Sequence, residues 1–393
     1  MLRVGTLFSG IGAVEQALIR LNVDYEIVFA CDNGEIEIDI DVEKEKNIVN
    51  NLSDKKEKKI YVDELYKSNS RKNNFVKQSY LANYNLDEND FHLDVRLLDG
   101  NDYREKVDLL VGGSPCQSFS TVGFQGGLED VRGTLFYEYA RLINEIQPKV
   151  FIYENVRGLT THDGGKTWKK MQDVFINTLH YKITEPQVLN AADYGIPQTR
   201  RRLFVIGIRE DLDSKEFTYP KPIGSDNLPF YMQDILEENC KYDPDNLNYY
   251  YNNTGELYIK RIPGVVDAKH TLTPKVRDYV LTSGTKNFKT STQTDLKIAR
   301  TLLKTMTQHH RAGVDNYITL GFEDNGKRIL RHLTERECLR LMGFPDSFKM
   351  VVSPVQMKKQ TGNSIVVDVM MAVLKSIFDT GVFDDILGGE SNA

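Results

Sequence analysis

The sequence predicts an α/β fold, in which a Rossmann-like sheet with covering helices is joined to a smaller and less regular second domain. Three observations lead to this prediction. Apolar, partly β-branched runs alternate with helical patterns as far as Ile208. A glycine-rich turn, Ser9 to Gly12, follows the first run. Composition shifts at Asp211 to Pro222, and from about Tyr219 to His332 the chain is rich in Asn and Tyr, with little periodicity.

The first elements have the pattern of half a nucleotide site. Leu2 to Phe8 is a predicted strand, and Ala13 to Leu21 has the apolar spacing of a helix. A second apolar run, Tyr25 to Ala30, ends just before Asp32. In such an arrangement the helix N-terminus lies beside the ligand, and the acidic residue after the second strand accepts the ribose hydroxyls. Phe8 to Gly12 lacks the third glycine of the dinucleotide fingerprint, which disfavours a nicotinamide or flavin cofactor.

The alternation is interrupted once and then resumes. Glu43 to Asn74 is rich in Lys, Glu, Asn and Ser, and we interpret it as an inserted surface segment. The later predicted elements are strands at Val107 to Val111, Val150 to Tyr153 and Leu203 to Ile208, and helices at Leu135 to Ile146 and Ser364 to Phe378. The last helix is strongly apolar and is expected to pack back against the first domain. We therefore expect a first domain at 1–215 with an insertion at about 43–74, a second domain at 216–345, and a returning C-terminal segment at 346–393.

Bulk composition indicates a soluble protein, with 40% hydrophobic and 27% charged residues. We recognise no secretory leader and no long charge-free apolar run, so we expect a cytoplasmic protein without a membrane span. The four cysteines (Cys31, Cys116, Cys240 and Cys338) and the seven histidines show no disulfide or metal spacing, so no metal is expected. The net charge of -6 argues weakly against a nucleic-acid partner. Basic residues nevertheless gather at Arg200 to Arg202 and along Lys349 to Lys359, which is compatible with a basic cleft on an acidic body.

Two chemically active side chains follow predicted strands. Cys116 comes just past one strand, after the turn Gly113 to Pro115, where a side chain can reach a ligand. A lone cysteine is nevertheless more often inert and buried. Glu154 directly follows another strand, and taken alone it is as often a helix cap or an ion-pair partner. Because the carboxyl ends of adjacent strands in a doubly wound sheet meet at one crevice, Cys116 and Glu154 can act on one substrate.

Six sequence blocks, in order, resemble the DNA cytosine-5-methyltransferase family. They are Phe8 to Gly12, Gly113 to Ser120, Glu154 to Val156, Gln198 to Arg202, Arg331 to Thr334 leading to Gly343 to Pro345, and Gly362 to Ser364. The resemblance covers nearly the whole chain except 43–74 and about 219–328. It implies a Rossmann-like S-adenosylmethionine-dependent methyltransferase domain at 1–215 and a target-recognition domain at 216–345. A single catalytic module also resembles the prokaryotic modification enzymes of restriction-modification systems.

The resemblance implies catalytic roles that cytosine chemistry explains. Carbon 5 of cytosine is too weak a nucleophile to take a methyl group from a sulfonium unaided. The Cys116 thiolate therefore adds to carbon 6, while Glu154 relieves the charge that builds up at nitrogen 3. Loss of the carbon 5 proton later expels Cys116. Arg200 and Arg202 are implied to lie at the flipped base, where they are expected to lower the pKa of the thiol.

S-adenosylmethionine is the implied cofactor, and double-stranded DNA is the implied partner. The cofactor contacts implied by the resemblance are Phe8, Gly10, Ile11, Gly12, Asp32, Asn33, Asp94, Val95, Pro115, Leu135, Asn363 and Ser364. The expected DNA contacts are Gln117, Ser120, Gln198 and Arg200. The segment from Phe119 to Arg132 is expected to close over a flipped-out base. The recognition sequence is expected to be read by residues between about Tyr219 and Arg328.

Two alternatives stay open. The first is methylation of cytosine in RNA by a protein of the same architecture. The long segment before Arg331 favours DNA, because a DNA enzyme needs a module that reads base edges in the major groove. The second alternative is a non-catalytic homologue that only binds DNA, and the intact Cys116 and Glu154 speak against it. We expect a monomer, because DNA methylation needs only one site.

Overall fold

The computed structural model describes residues 1–114, 135–237, 266–285, 288–289 and 291–388. The chain divides into two compact units. Unit 1 comprises Met1–Leu189, Arg201–Pro220 and Val373–Ala393, and unit 2 comprises Asn190–Arg200 and Lys221–Ala372.

The strands are β1 (Leu2–Leu7), β2 (Tyr25–Cys31), β3 (Phe91–His92), β4 (Leu109–Gly112), β5 (Val150–Val156), β6 (Tyr181–Ile183), β7 (Gln187–Asn190), β8 (Gln198–Thr199), β9 (Arg201–Arg209), β10 (Gly284–Thr285), β11 (Phe288–Lys289), β12 (Ala299–Arg300), β13 (Tyr317–Phe322) and β14 (Arg328–His332). The helices are α1 (Ala13–Arg20), α2 (Val42–Asn51), α3 (Lys55–Asn69), α4 (Phe75–Asn83), α5 (Leu135–Ile146), α6 (Lys166–Asp173), α7 (Pro274–Val280), α8 (Glu335–Arg340), α9 (Pro354–Asn363), α10 (Val367–Phe378) and α11 (Asp384–Leu387).

Unit 1 is built on a sheet whose strands run in the order β3-β2-β1-β4-β5-β9-β6, with β7 also paired to β9. Strands β1 to β5 pair in parallel, whereas β9 runs antiparallel to β5 and β6. From β1 the chain builds outward on one side through β2 and β3 and on the other through β4 and β5. The strand order therefore reverses between β1 and β4, which is where doubly wound sheets bind their ligands. This confirms the predicted α/β class.

The core of unit 1 lies between the sheet and its helices. Helix α5 shows why its sequence folds against the sheet, because Phe136, Tyr139, Ala140 and Ile143 recur at helical spacing and are all buried. They join a cluster that includes buried side chains from β4, β5 and α6. Burial of this apolar stripe fixes α5 beside the strands that carry the predicted catalytic residues.

The inserted segment is helical. Asp41 and Asp54 accept hydrogen bonds from the backbone at the starts of α2 and α3, so each helix has a side-chain N-cap. Both helices contribute to a small apolar cluster with residues that precede and follow them, formed by Ile36, Ile38, Val49, Val62, Tyr66 and Leu97. The segment is thus partly built into unit 1, which its charged composition did not indicate.

Unit 2 contains short elements. Strands β8 and β12 pair in parallel, and β13 and β14 form an antiparallel hairpin. At the start of α8, the fully buried Arg331 makes two hydrogen bonds of 2.8 and 2.9 Å to the carboxylate of Glu337. The same glutamate accepts from the backbone of Thr334, whose hydroxyl caps the helix. The Arg331 to Thr334 block therefore stabilises the start of α8 in unit 2.

One stretch among the described residues, Pro354–Phe378, is long and apolar enough to cross a membrane by length and composition alone. It consists of α9 and α10, and 67% of its most apolar window is buried inside the protein, as expected for core helices.

Candidate active site

The carboxyl ends of four parallel strands bring the predicted site residues to one edge of the sheet in unit 1. Leu7 at the end of β1 pairs with Cys31 of β2 and Gly112 of β4, and Gly112 pairs with Tyr153 of β5. The next residues along these four chains are Phe8, Asp32, Gly113 and Glu154, of which Glu154 still belongs to β5. The register therefore aligns the glycine turn, the ribose candidate and the two catalytic segments along the same edge.

Glu154 lies against the end of β4. A Cβ atom built on Gly113 would be 2.5 Å from the carbonyl oxygen of Glu154 and 2.9 Å from its carboxylate Oε2. Glycine is thus the residue that lets the two chains approach this closely. The close contact places the backbone leading to Cys116 beside Glu154, a function of Gly113 that the sequence showed only as part of a motif.

Arg202 is the charged partner of Glu154. Its Nε is 3.1 Å from Glu154 Oε1, and the two side chains are 22% and 15% exposed. In the antiparallel pairing of β5 with β9, Glu154 is opposite Phe204 and Val156 is opposite Arg202. Glu154 and Arg202 are therefore diagonal neighbours on one face, within reach of a long side chain. Partial burial strengthens the attraction relative to a fully exposed pair.

A buried hydrogen-bond network fixes the chain immediately before Cys116. The side-chain amide of Asn155 donates to the Ser114 carbonyl at 2.9 Å and to the Tyr153 hydroxyl at 3.0 Å. The hydroxyls of Ser114 and Tyr153 are 2.6 Å apart. These contacts give Asn155 a positioning role that had not been predicted, although it stands inside the recognised Glu154 to Val156 block. Cys116 itself, together with Pro115, Gln117, Ser120 and the segment 119–132, lies outside the described residues.

Two of the other cysteines are expected to be unreactive. Cys31 and Cys338 are buried, and burial raises the pKa of each thiol well above its ordinary range. Neither is a thiolate at neutral pH, so neither is suited to nucleophilic attack.

The turn after β1 has the conformation expected of a ligand-binding glycine turn. Gly10 and Gly12 have φ values of 56° and 78°, a region that favours glycine. A Cβ on Gly12 would be 2.1 Å from the ring of Tyr84. The Tyr84 hydroxyl also donates to the carbonyls of Ile11 and Gly12, at 3.0 and 2.7 Å. Phe8 precedes the turn with a φ of 54° and is half-buried.

Asp32 ties the end of β2 to this turn. Its carboxylate accepts from the backbone N–H of Gly10 at 2.9 Å and of Gly34 at 2.8 Å. Burial raises the pKa of Asp32, and these two backbone hydrogen bonds oppose that rise. Each carboxylate oxygen keeps acceptor capacity for a further donor, such as a ribose hydroxyl. Asn33 closes its own turn, accepting from Glu35 N and donating to Ile36 O.

Asp94 follows β3 at the same edge and is held by two side chains. Arg96 donates from Nε to Oδ1 at 2.9 Å and from Nη2 to Oδ2 at 2.7 Å. The hydroxyl of Tyr66 donates to Oδ2 at 2.9 Å. The next predicted contact, Val95, is buried, and Leu135 is half-buried against the core.

Gln198 and Arg200 belong to unit 2 and are buried there. The Gln198 amide donates to Leu341 O at 2.7 Å, and its Oε1 accepts from Leu302 N at 3.0 Å. Arg200, which is 3% exposed, donates to the carbonyls of Leu302, Gly362 and Ser364 at 2.7 to 3.0 Å. This placement favours a structural role for both side chains over the predicted contacts with DNA or a flipped base. Of the last two predicted cofactor contacts, also in unit 2, Asn363 is exposed and Ser364 is buried.

Comparison with known proteins identifies the family. A family model described as C-5 cytosine-specific DNA methylase matches residues 2–379. The type II methyltransferase M.HpaII of Haemophilus parainfluenzae is 36% identical over 283 residues, covering 70% of this chain and 73% of the relative. M.HhaI of Haemophilus parahaemolyticus is 35% identical over 273 residues, covering 69% and 75%.

Solved structures agree on the fold. The crystal structure of a triple mutant of DNMT2 from Spodoptera frugiperda superposes with a TM-score of 0.63 at 18% identity, covering 96% of this chain and all of that one. The Dnmt2 methyltransferase of S. pombe gives a TM-score of 0.61 at 18% identity, covering 98% and 99%. The resemblance drawn from the six sequence blocks is confirmed: the chain belongs to the C-5 cytosine-specific DNA methylase family.

Proposed function

We propose that this enzyme transfers a methyl group from S-adenosylmethionine to carbon 5 of a cytosine in a specific duplex DNA sequence, through a covalent bond to Cys116. The observation that carries the proposal is the contact of Gly113 with Glu154, because it brings the chain leading to Cys116 beside a carboxylate at the sheet edge. The ion pair of Glu154 with Arg202 gives that carboxylate a charged partner.

Each proposed catalytic group has a defined task. The Cys116 thiolate adds to carbon 6 of the base, and the Glu154 carboxyl hydrogen-bonds or protonates nitrogen 3. Carbon 5 thereby gains electron density and would take the sulfonium methyl group, with S-adenosylhomocysteine as the leaving group. A base then removes the carbon 5 proton, the carbon–sulfur bond breaks, and the thiolate is regenerated. Arg202 keeps the Glu154 carboxyl group in position during these steps through their ion pair.

The residues at the sheet edge fit S-adenosylmethionine, which supplies an electrophilic methyl group when bound. Gly10 has no Cβ atom that would obstruct a ligand at this turn, and Asp32 retains acceptors for ribose hydroxyls. We assign Phe8 and Ile11 to the same turn, and Asp94 to the adenine amino group. The other proposed contacts are Asn33, Val95, Pro115, Leu135, Asn363 and Ser364.

The substrate must present a cytosine whose ring faces are free. A base inside a duplex is stacked on both faces, so it has to swing out at a cost of a few kcal/mol. We assign Gln117, Ser120 and the segment 119–132 to holding the opened duplex, and residues 216–345 to reading the sequence. The similarity to M.HpaII and M.HhaI supports a role as the modification enzyme of a restriction-modification system. We further propose that the protein acts as a monomer in the cytoplasm.

The test measures transfer of tritiated methyl groups to duplex DNA and to transfer RNA. We expect transfer to DNA alone, and the C116S variant should be inactive while retaining S-adenosylhomocysteine binding. A duplex containing 5-fluorocytosine cannot release the carbon 5 substituent as a proton, so the wild type should form a covalent adduct and C116S none. Transfer to RNA alone, or an adduct at a residue other than Cys116, would overturn the proposal.

A further inference from the structure

We propose that Tyr66, on the inserted helix α3, is a positioning residue of the cofactor site that acts through Asp94. The inference rests on the proposed contact of Asp94 with the amino group of adenine. We infer that the Tyr66 hydroxyl holds the Asp94 carboxylate in the position where it accepts a hydrogen bond from that amino group.

The contact is buried on both sides. Tyr66 is 4% exposed and Asp94 is 5% exposed. The hydroxyl donates to Oδ2 at 2.9 Å across 28 positions of sequence. Arg96 also bonds both carboxylate oxygens, but it stands two residues from Asp94 in the same turn. Arg96 therefore orients the carboxylate within the turn, whereas Tyr66 fixes the turn relative to a helix.

Helix α3 is a firm support because it is tied to the same stretch of chain on both sides of Asp94. Before Asp94, Lys55 Nζ is 2.5 Å from Asp90 Oδ1. After Asp94, Lys58 Nζ is 2.6 Å from Asp99 and 3.0 Å from Asp102. The side chains of Lys58 and Asp99 are 12% and 11% exposed, so this pair is little screened by solvent.

The chemistry of the carboxylate makes its orientation matter. Two oxygens offer about four acceptor positions. Four hydrogen bonds from Arg96 and Tyr66 already use these positions, so a ligand amino group must share a carboxylate oxygen with a protein donor and meet it at a defined angle. The Tyr66 hydrogen bond to this carboxylate is charge-assisted, and losing the part of it that orients the acceptor should weaken ligand binding about fivefold, or about 1 kcal/mol.

The experiment compares two ligands that differ at the adenine amino group. S-adenosylhomocysteine carries the amino group, and S-inosylhomocysteine carries an oxygen there, which cannot donate to Asp94. Binding of each to the full-length protein is measured by titration calorimetry, for the wild type, Y66F and Y61F. Y61F is the matched control, because Tyr61 lies on the same helix and its hydroxyl donates to Glu45.

We expect the wild type to prefer S-adenosylhomocysteine. Y66F should weaken S-adenosylhomocysteine binding about three- to tenfold and leave S-inosylhomocysteine binding within twofold, while Y61F changes neither. Equal weakening of both ligands in Y66F would make Tyr66 a packing residue and overturn the inference. An unchanged preference in Y66F would also overturn it, with the Asp94 assignment intact. A wild type without preference would refute the Asp94 contact itself, and the inference with it.

Discussion

Replacing Arg202 by glutamine tests whether this arginine acts through Glu154. The two charges are 3.1 Å apart, and their side chains are 22% and 15% exposed. At an effective dielectric constant of about 20 the gross attraction is about 5 kcal/mol, most of which desolvation offsets. A charge-assisted hydrogen bond retains about 1.5–3 kcal/mol net. We therefore expect R202Q to slow the reaction about 10- to 150-fold.

The assay is the single-turnover rate of adduct formation with a 5-fluorocytosine duplex at saturating S-adenosylmethionine. E154Q removes a general acid and should slow this rate about 10²- to 10⁴-fold. If Arg202 works through Glu154, the double variant should be within about threefold of E154Q alone, because the second change removes a contact already lost. Fully multiplicative losses would refute the reasoning and give Arg202 an independent contact with the substrate.

Two further predictions concern cysteines and pH. Native protein treated with iodoacetamide at pH 7.5 should be alkylated at Cys116 and spared at Cys31 and Cys338, whose thiols are buried, as checked by peptide mass spectrometry; comparable labelling of Cys31 would contradict this. Burial lowers the pKa of His92 to about 3, below its unfolded value of about 6.5. Between about pH 6.5 and 3, His92 is therefore protonated in the unfolded chain but not in the folded chain. The free energy of unfolding thus decreases as pH drops from about 6.5 toward 3. In urea unfolding, H92Q should lose about 1.3 kcal/mol less than the wild type between pH 7 and 5.5; equal losses would refute this assignment.

Periodicity predicted five strands of the sheet, β1, β2, β4, β5 and β9, because each is an apolar run in its own right. The short strands β3, β6 and β7 were not predicted, because none of them forms such a run. β1 and β2 match their predicted ranges to within one residue at either end. β5 was predicted to end at Tyr153 but continues to Val156. The extension carries Glu154 and is held by antiparallel pairing of Glu154 to Val156 with Phe204 to Arg202 of β9. That partner lies about fifty residues away in sequence, so no local pattern could reveal it.

Charged residues were harder to interpret than apolar ones. The run Arg200 to Arg202 suggested a uniform basic edge, yet Arg200 is buried, Arg201 is exposed and Arg202 is half-buried. Neighbouring side chains along an extended chain point to opposite faces. Arg200 is buried because it donates hydrogen bonds to backbone carbonyls that are distant in sequence, those of Leu302, Gly362 and Ser364. The lysines of α3 likewise suggested a solvated surface, whereas Lys58 is paired with carboxylates more than forty positions away.

The place of the insertion in the sheet explains why it can affect one half of the site without disturbing the other. The segment connects β2 to β3, and both strands lie on the far side of β1 from β4 and β5. Its helix α3 contacts Asp94 through Tyr66, and its lysines pair with Asp90 before that turn and with Asp99 after it. The Gly113, Asn155 and Arg202 contacts around Glu154 involve only β4, β5 and β9. Substitutions at Tyr66 should therefore change cofactor affinity while the groups proposed to act on cytosine keep their geometry.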